Sequence, residues 1–461
     1  MISYEIAKEL LEKNGQSHVL KFWPQLDDAQ RSHLLWQIES LDFDSIARMR
    51  MILKDESSSS ADISIQPAPV VQLSGSARIE AINTGESALR DSHVGVILVA
   101  GGQGSRLGYD GPKGCYSIGP VTGASLFEIH SRKILALEQK YDCKIPFYIM
   151  TSAANDGSTR DFFKEHKYFG LNPRKVRFFI QGMWPALDQL GRIVLDRPDN
   201  IFMSPDGHGG ILSALRVGGM IDDMRTQGLH TLFYFQVDNP LVEIADPAFI
   251  GLHNIKRADV SVKVCEKRGP EEKLGVVVVR NERCAVVEYS EMNSEQQNAR
   301  MDDGNLKFRY GSVAIHVFSL DFIAREASAD LPLHVARKKV PYCDDNGNTV
   351  TAKAPNACKF EKFVFDVLSD ADTVVNMVFR REEEFSPVKN AEGEDSPATS
   401  RRDMMEKWAR WLLKCGVNVP RKANGDLLFK LEIDPCFALN ADDLANRLPE
   451  QFSVTEDTVL R

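Results

Sequence analysis

Apolar positions change rhythm once along this chain. Over residues 1–55 they recur at helical spacing within Tyr4–Lys13 and Asp27–Ile38, with few strand signals between. From Val94 onward, short unbroken apolar runs alternate with helical patterns. Val94–Ala100 (VGVILVA) is too short to cross a bilayer and has the length of a strand buried on both faces. Ser125–Tyr141 places apolar residues at 126, 127, 129, 134, 135 and 137 with polar ones between, the mark of a helix. The same reading predicts strands at Ile145–Thr151, Val176–Gln181, Thr231–Val237 and Val260–Cys265, and helices at Ser158–His166, Ile211–Gln227 and Pro247–Lys256. Residues 274–292 and 308–320 pattern as antiparallel strands, whereas Lys359–Leu368 and Arg401–Cys415 pattern as helices. Two stretches lack periodicity. Glu56–Pro69, rich in Ser and Pro, reads as an exposed connector, and Glu382–Thr399 as a long loop of the kind that is more often functional than idle.

Strand–helix alternation implies right-handed crossovers and a mixed, mainly parallel α/β sheet covered by helices. The chain divides on this pattern into a helical N-terminal segment with linker (1–75), a central domain (76–415) and a small C-terminal domain (416–461). Ligands in such sheets bind beyond the carboxyl ends of the strands. Two such ends stand out, the glycine-rich loop after Ala100 and the acidic end after Val237.

Composition then narrows the function. The formal net charge of −9 argues against a general nucleic-acid binder, so any anionic guest must be held by local cations. The N-terminus lacks the apolar core of a signal peptide and no run is long enough for a bilayer, so no membrane partner and a cytoplasmic location are expected. The eight cysteines show no C-x-x-C pair and no zinc-like spacing, and read as reduced packing residues.

The candidate chemistry starts at VGVILVAGGQGSRLGYDGPKG (94–114). Gly101, Gly102 and Gly104 are expected to allow positive φ and a close backbone approach to a ligand. Arg106 and Lys113 add two cations on the same loop. A polyanion is the natural guest. The spacing Gly102-x-Gly104-x-x-x-Gly108 is one residue too long for a dinucleotide fingerprint, which disfavours a nicotinamide-dependent oxidoreductase, and no GK[ST] ending marks a P-loop. Asp238, at a strand end near that loop, offers a hard carboxylate suited to Mg²⁺, although a strand-end Asp is also an ordinary cap.

AGGQGSRLG followed by PKG resembles the signature of the nucleotidyltransferases that make nucleotide sugars, and in this fuller form the eukaryotic-type UDP-N-acetylglucosamine pyrophosphorylases. Similar segments continue in the family's order at Gln181-Gly182, PDGHGG (205–210), VDNPLVEIADP (237–247), VVEYSEM (286–292), KFEKFVFD (359–366) and EFSPVKNAEG (384–393). The resemblance implies a Rossmann-like uridylyltransferase that takes UTP and a sugar 1-phosphate, with Mg²⁺, to UDP-sugar and pyrophosphate. It assigns Arg106, Lys113 and Lys389 to the phosphates and Asp238 to the metal. Leu98, Ala100, Gly101, Gly102, Gln181, Gly207 and Lys359 go to the nucleotide, with the Gln181 amide expected to pair with the uracil edge as both donor and acceptor.

Sugar contacts fall to His208, Glu288, Tyr289 and Ser312. Here the chain departs from the pattern. N-acetylglucosamine enzymes of the family usually read PDGNGG, whereas this chain has His208; they carry an asparagine in a GNIANH-like segment, whereas this chain reads GSVAIH (311–316). N-acetylglucosamine 1-phosphate is the expected sugar, with glucose 1-phosphate or a broader set as alternatives. A catalytically silent nucleotide-sugar binder is a further alternative, disfavoured by the joint presence of Arg106, Lys113, Asp238 and Lys389.

Overall fold

A computed structural model describes residues 1–55 and 64–461, so positions 56–63 of the expected connector lie outside the described residues. The chain forms two compact units. The smaller comprises Met1–Ile63, Gln181–Ile211 and Asp330–Asp366; the larger comprises Ser64–Ile180, Leu212–Ala329 and Val367–Arg461. Residues 76–415 thus contribute to both.

In the larger unit the sheet runs Gln66–Pro67, Val276–Arg280, Tyr310–Ser319, Thr231–Gln236, Val94–Val99, Phe147–Thr151, Val176–Ile180. The last four strands are parallel. Tyr310–Ser319 runs antiparallel to Thr231–Gln236 and to Val260–Glu266, and the latter pairs in parallel with Val374–Val378. This is the mixed, mainly parallel sheet expected from the alternation. Val96, Leu98, Phe233 and Phe235 are fully buried at its centre, consistent with runs too apolar to face water on either side.

The helix Gly75–Arg90 is not announced by apolar periodicity. It packs on Pro247–Lys256 through glycines instead: a Cβ on Gly85 would fall 1.9 Å from the Pro247 carbonyl oxygen, and one on Gly251 would fall 1.7 Å from that of Ala81. Backbone approach replaces a side-chain stripe. Residues beyond 415 close a small core of their own, in which Leu427, Leu431, Ile433 and Leu444 meet Trp411 and Leu412 from the end of the helix Pro397–Lys414.

Several expectations need correction. Ile211–Gln227 is two helices, Ile211–Val217 and Met220–Thr226, because Gly219 adopts φ +71° between them. The described end of the Glu56–Pro69 connector is no mere tether: Gln66–Pro67 pairs antiparallel with Val276–Arg280, and Ile65 and Ala68 are buried. Within Glu382–Thr399, a helical turn covers Arg381–Glu384 and the helix Pro397–Lys414 begins on a Ser396 capping box, so the irregular loop shrinks to 385–396.

In the smaller unit, Leu11, Leu34, Ile38 and Met49 from the helices Tyr4–Lys13, Asp28–Glu39 and Phe43–Asp55 pack on Leu187, Ile193, Ile201 and Phe360. The predicted helix Lys359–Leu368 is in fact the strand Ala357–Glu361, paired with His334–Lys338, followed by a 3₁₀ helix at Val364–Ser369. Cys358 and Phe360 are buried while Lys359 and Glu361 are half-buried, a period of two that a short run hides. No helix among the described residues is long and apolar enough to cross a membrane.

Candidate active site

In the larger unit, Val94–Val99 and Thr231–Gln236 lie side by side in parallel, with Val99 opposite Gln236, and the Val237 N–H donates to the Val99 carbonyl at 3.0 Å. The glycine loop and Asp238 therefore leave the sheet at the same end, as the rule for parallel sheets demands. The Lys113 ammonium stands 3.6 Å from the Asp238 carboxylate, both side chains mostly buried. Arg106 is exposed, and its side chain makes no ion pair or hydrogen bond among the described residues.

The loop's conformation is carried by a small set of contacts. Gly104 donates to the Gly111 carbonyl at 2.9 Å and Lys113 to that of Gly102 at 3.0 Å, folding the loop back on itself. The buried Asn155 amide donates to the Ala100 and Gly102 carbonyls at 3.0 and 3.3 Å. Positive φ falls at Gly108 (+69°) and Gly111 (+148°), not at Gly102 or Gly104 as expected; Gly104 instead makes room for the Tyr109 ring, which a Cβ would meet at 2.7 Å.

Leu98 and Ala100 are engaged by the sheet and by Asn155. Leu98 is fully buried between Ile149 and Phe235 in the sheet, and the Ala100 N–H and carbonyl are taken up by Met150 and Asn155. Both support the loop from within. The backbone open to a ligand begins at Gly101 and Gly102, whose N–H groups make no hydrogen bond among the described residues.

The strap 237–242 is fixed from two directions. From the helix Leu126–Tyr141, His130 Nε2 meets the Val237 carbonyl at 2.9 Å, and Lys133 Nζ donates to the carbonyls of Pro240 (2.5 Å) and Val242 (2.8 Å). Burial holds His130 neutral, with its pKa pushed down to about 3, so its ring N–H is a donor at every physiological pH. From the other side, Asn239 donates to the Glu384 carbonyl at 2.7 Å and accepts from the Ser386 N–H at 3.1 Å. The Val388 N–H donates to the Asp238 carbonyl at 2.8 Å. These bonds tie the Asp238 strap to the segment that carries Lys389.

Lys389 itself is half-buried, its ammonium 5.8 Å from the centre of the Phe385 ring and without an ion pair among the described residues. Its N–H and that of Asn390 both donate to the Asp395 carbonyl, at 2.7 and 3.0 Å. Beneath this segment Lys263 is fully buried, with its ammonium 2.8 Å from Asp246 and 2.6 Å from Glu384. Glu243, Asp246 and Glu384 are the carboxylates close enough to share a metal among the described residues. The lysine already fills that cationic role against two of them.

The expected sugar contacts of this unit lie on neighbouring strands and their ends. Ser312 donates its N–H to the Gly275 carbonyl at 2.8 Å, and a Cβ on Gly275 would come 2.9 Å from Glu288 Oε1. The pairing of Val260–Glu266 with Tyr310–Ser319 shifts between Val262 and Val264, opposite Ala314, which takes φ +58°. Such a bulge re-aims side chains beside a site. Tyr289 is exposed and its carbonyl accepts from Gln297 at 2.9 Å.

In the smaller unit, Gln181, Gly207 and His208 sit on the turn that meets the KFEKF segment. Gly207 and Gly209 press on its backbone, since a Cβ would fall 2.4 Å from the Lys362 carbonyl and 2.6 Å from that of Phe363. Lys359 projects over the Phe202 ring at 5.1 Å, and burial lowers its pKa. Lys362, over Trp184 at 5.0 Å, is a second half-buried cation that motif reading leaves unassigned.

Two of these residues differ from expectation. Gln181 Nε2 is already bonded to Asp206 Oδ1 (3.1 Å) and the Gly207 carbonyl (2.7 Å), so both donor hydrogens of the amide are taken and only its oxygen is left without a partner among the described residues. His208 Nδ1 accepts the Val364 N–H at 3.1 Å, its ring stacks on Phe363 at 5.2 Å, and burial pushes its pKa down to about 4. One ring nitrogen therefore serves packing. Asn155 stands in no motif, and Asp206, although inside PDGHGG, carries no signal in its spacing that separates a buried partner of Gln181 from an ordinary turn aspartate.

The chain is similar over most of its length to known proteins. A family profile described as UTP–glucose-1-phosphate uridylyltransferase matches residues 42–424. The UDP-N-acetylhexosamine pyrophosphorylase-like protein 1 of Mus musculus is 38% identical over 439 residues, 90% of this chain and 87% of its own length. The UDP-N-acetylglucosamine pyrophosphorylase of Saccharomyces cerevisiae is 35% identical over 443 residues, 90% and 92% of the two chains. In three dimensions the uridine diphosphate N-acetylglucosamine pyrophosphorylase of Trypanosoma brucei, solved with an inhibitor, matches with a TM-score of 0.86 at 27% identity, covering 100% of this chain and 98% of that one.

Proposed function

The chain belongs to the UTP–glucose-1-phosphate uridylyltransferase family, and on that premise we propose that it converts UTP and N-acetylglucosamine 1-phosphate to UDP-N-acetylglucosamine and pyrophosphate. A phosphate oxygen of the sugar 1-phosphate forms a bond to the α-phosphorus of UTP, and the bond from that phosphorus to the bridging oxygen of pyrophosphate breaks in line with it. The nucleophile is already ionised and needs no general base. The obstacle is repulsion between anions, on the order of 4 kcal/mol for each unit-charge pair at 4 Å and an effective dielectric of 20. Positioning and neutralisation are what the protein must supply.

The Lys113–Asp238 pair carries this reading, because it joins the glycine loop to a metal-grade carboxylate at the carboxyl end of the sheet. Lys113 and Arg106 face the triphosphate, the Gly101 and Gly102 N–H groups cradle it, and Lys389 meets the incoming sugar phosphate. One Asp238 oxygen is turned to Lys113, and the other would hold Mg²⁺, which would supply positive charge against the phosphate oxygens. Gln181 and Gly207 read the base, with Lys359 and Lys362 as further cations on the nucleotide side.

The names of the relatives favour N-acetylglucosamine. His208, which stands where the family's N-acetylglucosamine enzymes usually carry asparagine, has a packing role through Val364 and Phe363, which weakens the case for a different sugar. Free thiols at all eight cysteines support a reducing compartment, the cytoplasm on this reading. The test is a competition: UTP, Mg²⁺ and equal amounts of the two sugar 1-phosphates, with products separated and weighed by mass spectrometry. UDP-N-acetylglucosamine should predominate; an excess of UDP-glucose contradicts the sugar assignment, and neither product contradicts the transfer.

A further inference from the structure

Gln181 offers its base-reading amide in one fixed sense. Both neighbours of Nε2, the Asp206 carboxylate and the Gly207 carbonyl, are acceptors, so the NH₂ must face them. Oε1 is thereby turned away. It makes no hydrogen bond among the described residues, and although Gln181 is 7% exposed, Oε1 is not among the unpaired atoms sealed from solvent. Beside it, the Gly207 N–H is likewise unbonded among the described residues.

Asp206 is held as firmly as the amide it orients. It is 3% exposed, its N–H donates to the Gly182 carbonyl at 3.1 Å, and its own carbonyl accepts from Lys362 at 2.7 Å. Two glycines frame the carboxylate: a Cβ on Gly182 would meet it at 2.5 Å and one on Gly210 at 2.0 Å. The PDGHGG turn is thus shaped around this side chain, which a surface turn would not require.

We propose that Asp206 is the positioning residue that selects the base, by holding the Gln181 amide so that a lone acceptor faces the ring. Uracil presents an N3–H donor flanked by carbonyl oxygens, complementary to Gln181 Oε1 and the Gly207 N–H. Cytosine presents an N3 acceptor and an amino donor, the reverse pattern, and leaves acceptor against acceptor. Sites built on a buried polar group reject a ligand that cannot pair with it far more strongly than apolar pockets reject a misfit. The inference rests on the uridylyl-transfer reading.

The experiment compares kcat/KM for UTP and for CTP in the full-length chain, at saturating N-acetylglucosamine 1-phosphate, for the wild type, Asp206→Ala and Asp206→Asn. Asp206→Ala should lower the UTP-to-CTP ratio about tenfold while the KM for sugar 1-phosphate stays within about twofold. Asp206→Asn, whose Oδ1 can still accept, should lower it about threefold. A merely structural role would reduce both nucleotides alike, and an unchanged ratio overturns the inference. Where Asp206→Ala shows no cooperative melt, Asp206→Asn decides by the same criterion. A wild type that neither turns over nor binds UTP overturns the uridylyl reading itself, a separate outcome.

Discussion

Lys113 and Asp238 form an ion pair at 3.6 Å although they leave the sheet on different crossovers, one at the end of the glycine loop and the other at the tip of the neighbouring strand. A mostly buried pair of this kind adds little net stability, because the hydration both charges lose offsets their attraction. What the pair does is place a cation and a carboxylate together, with the Lys389 segment bonded to the same strap through Val388. Lys113→Ala and Lys389→Ala should each lower kcat by about 100-fold or more while leaving the thermal melt near that of the wild type. Near-normal turnover in either variant removes that lysine from the mechanism.

Asn239 joins the Asp238 strap to the segment that carries Lys389. Asn239→Ala leaves the Glu384 carbonyl and the Ser386 N–H without their partner in a buried setting. We expect a loss of about 2–4 kcal/mol in urea denaturation. Turnover should fall about tenfold with a raised KM for sugar 1-phosphate, because Lys389 is no longer held against the Asp238 strap. A variant as active and as stable as the wild type would show that Val388 alone suffices.

The strand-end logic of this site is legible in the sequence because parallel strands are apolar throughout and end abruptly, so Ala100 and Asp238 announce themselves. Lys359 is placed on the wrong element because its strand is half-covered and short, giving too few residues to separate a period of two from one of 3.6. The Gly75–Arg90 helix is hidden for another reason: its closest contacts are made by glycine backbone, which carries no hydrophobic signal. At Leu98 and Ala100 the motif does not say which backbone groups stay open, because their pairing depends on the neighbouring strands and on Asn155, which lie far away in sequence.

Gly275 controls the room available to Glu288. In Gly275→Ala the new methyl would stand 2.7 Å from a Val286 methyl and 2.9 Å from Glu288 Oε1, so the carboxylate must shift. The expected result is a KM for sugar 1-phosphate raised about fivefold or more with the KM for UTP unchanged, since a hydrogen bond to the substrate is misplaced. Steady-state kinetics varying each substrate in turn separates the two. An equal rise in both would place Glu288 outside the sugar contacts.

His208 gives the fold a dependence on acid. Its folded pKa is about 4, below the ordinary 6.5, so between these values the unfolded chain binds a proton that the folded chain does not. Stability from this group is complete above about pH 6.5 and is lost as the pH falls toward 4. His208→Asn, whose Oδ1 can accept the Val364 N–H, removes the titration. Between about pH 7 and about pH 5 the wild type should lose about 2 kcal/mol more than this variant, measured by urea denaturation.

Uridylyl transfer by the glycine loop, Asp238 and Lys389 is read out in the initial rate of pyrophosphate release from UTP and Mg²⁺, with and without N-acetylglucosamine 1-phosphate. Release should require the sugar phosphate and vanish in Lys113→Ala. No release with any sugar 1-phosphate would contradict the account and mark the chain as a silent nucleotide-sugar binder.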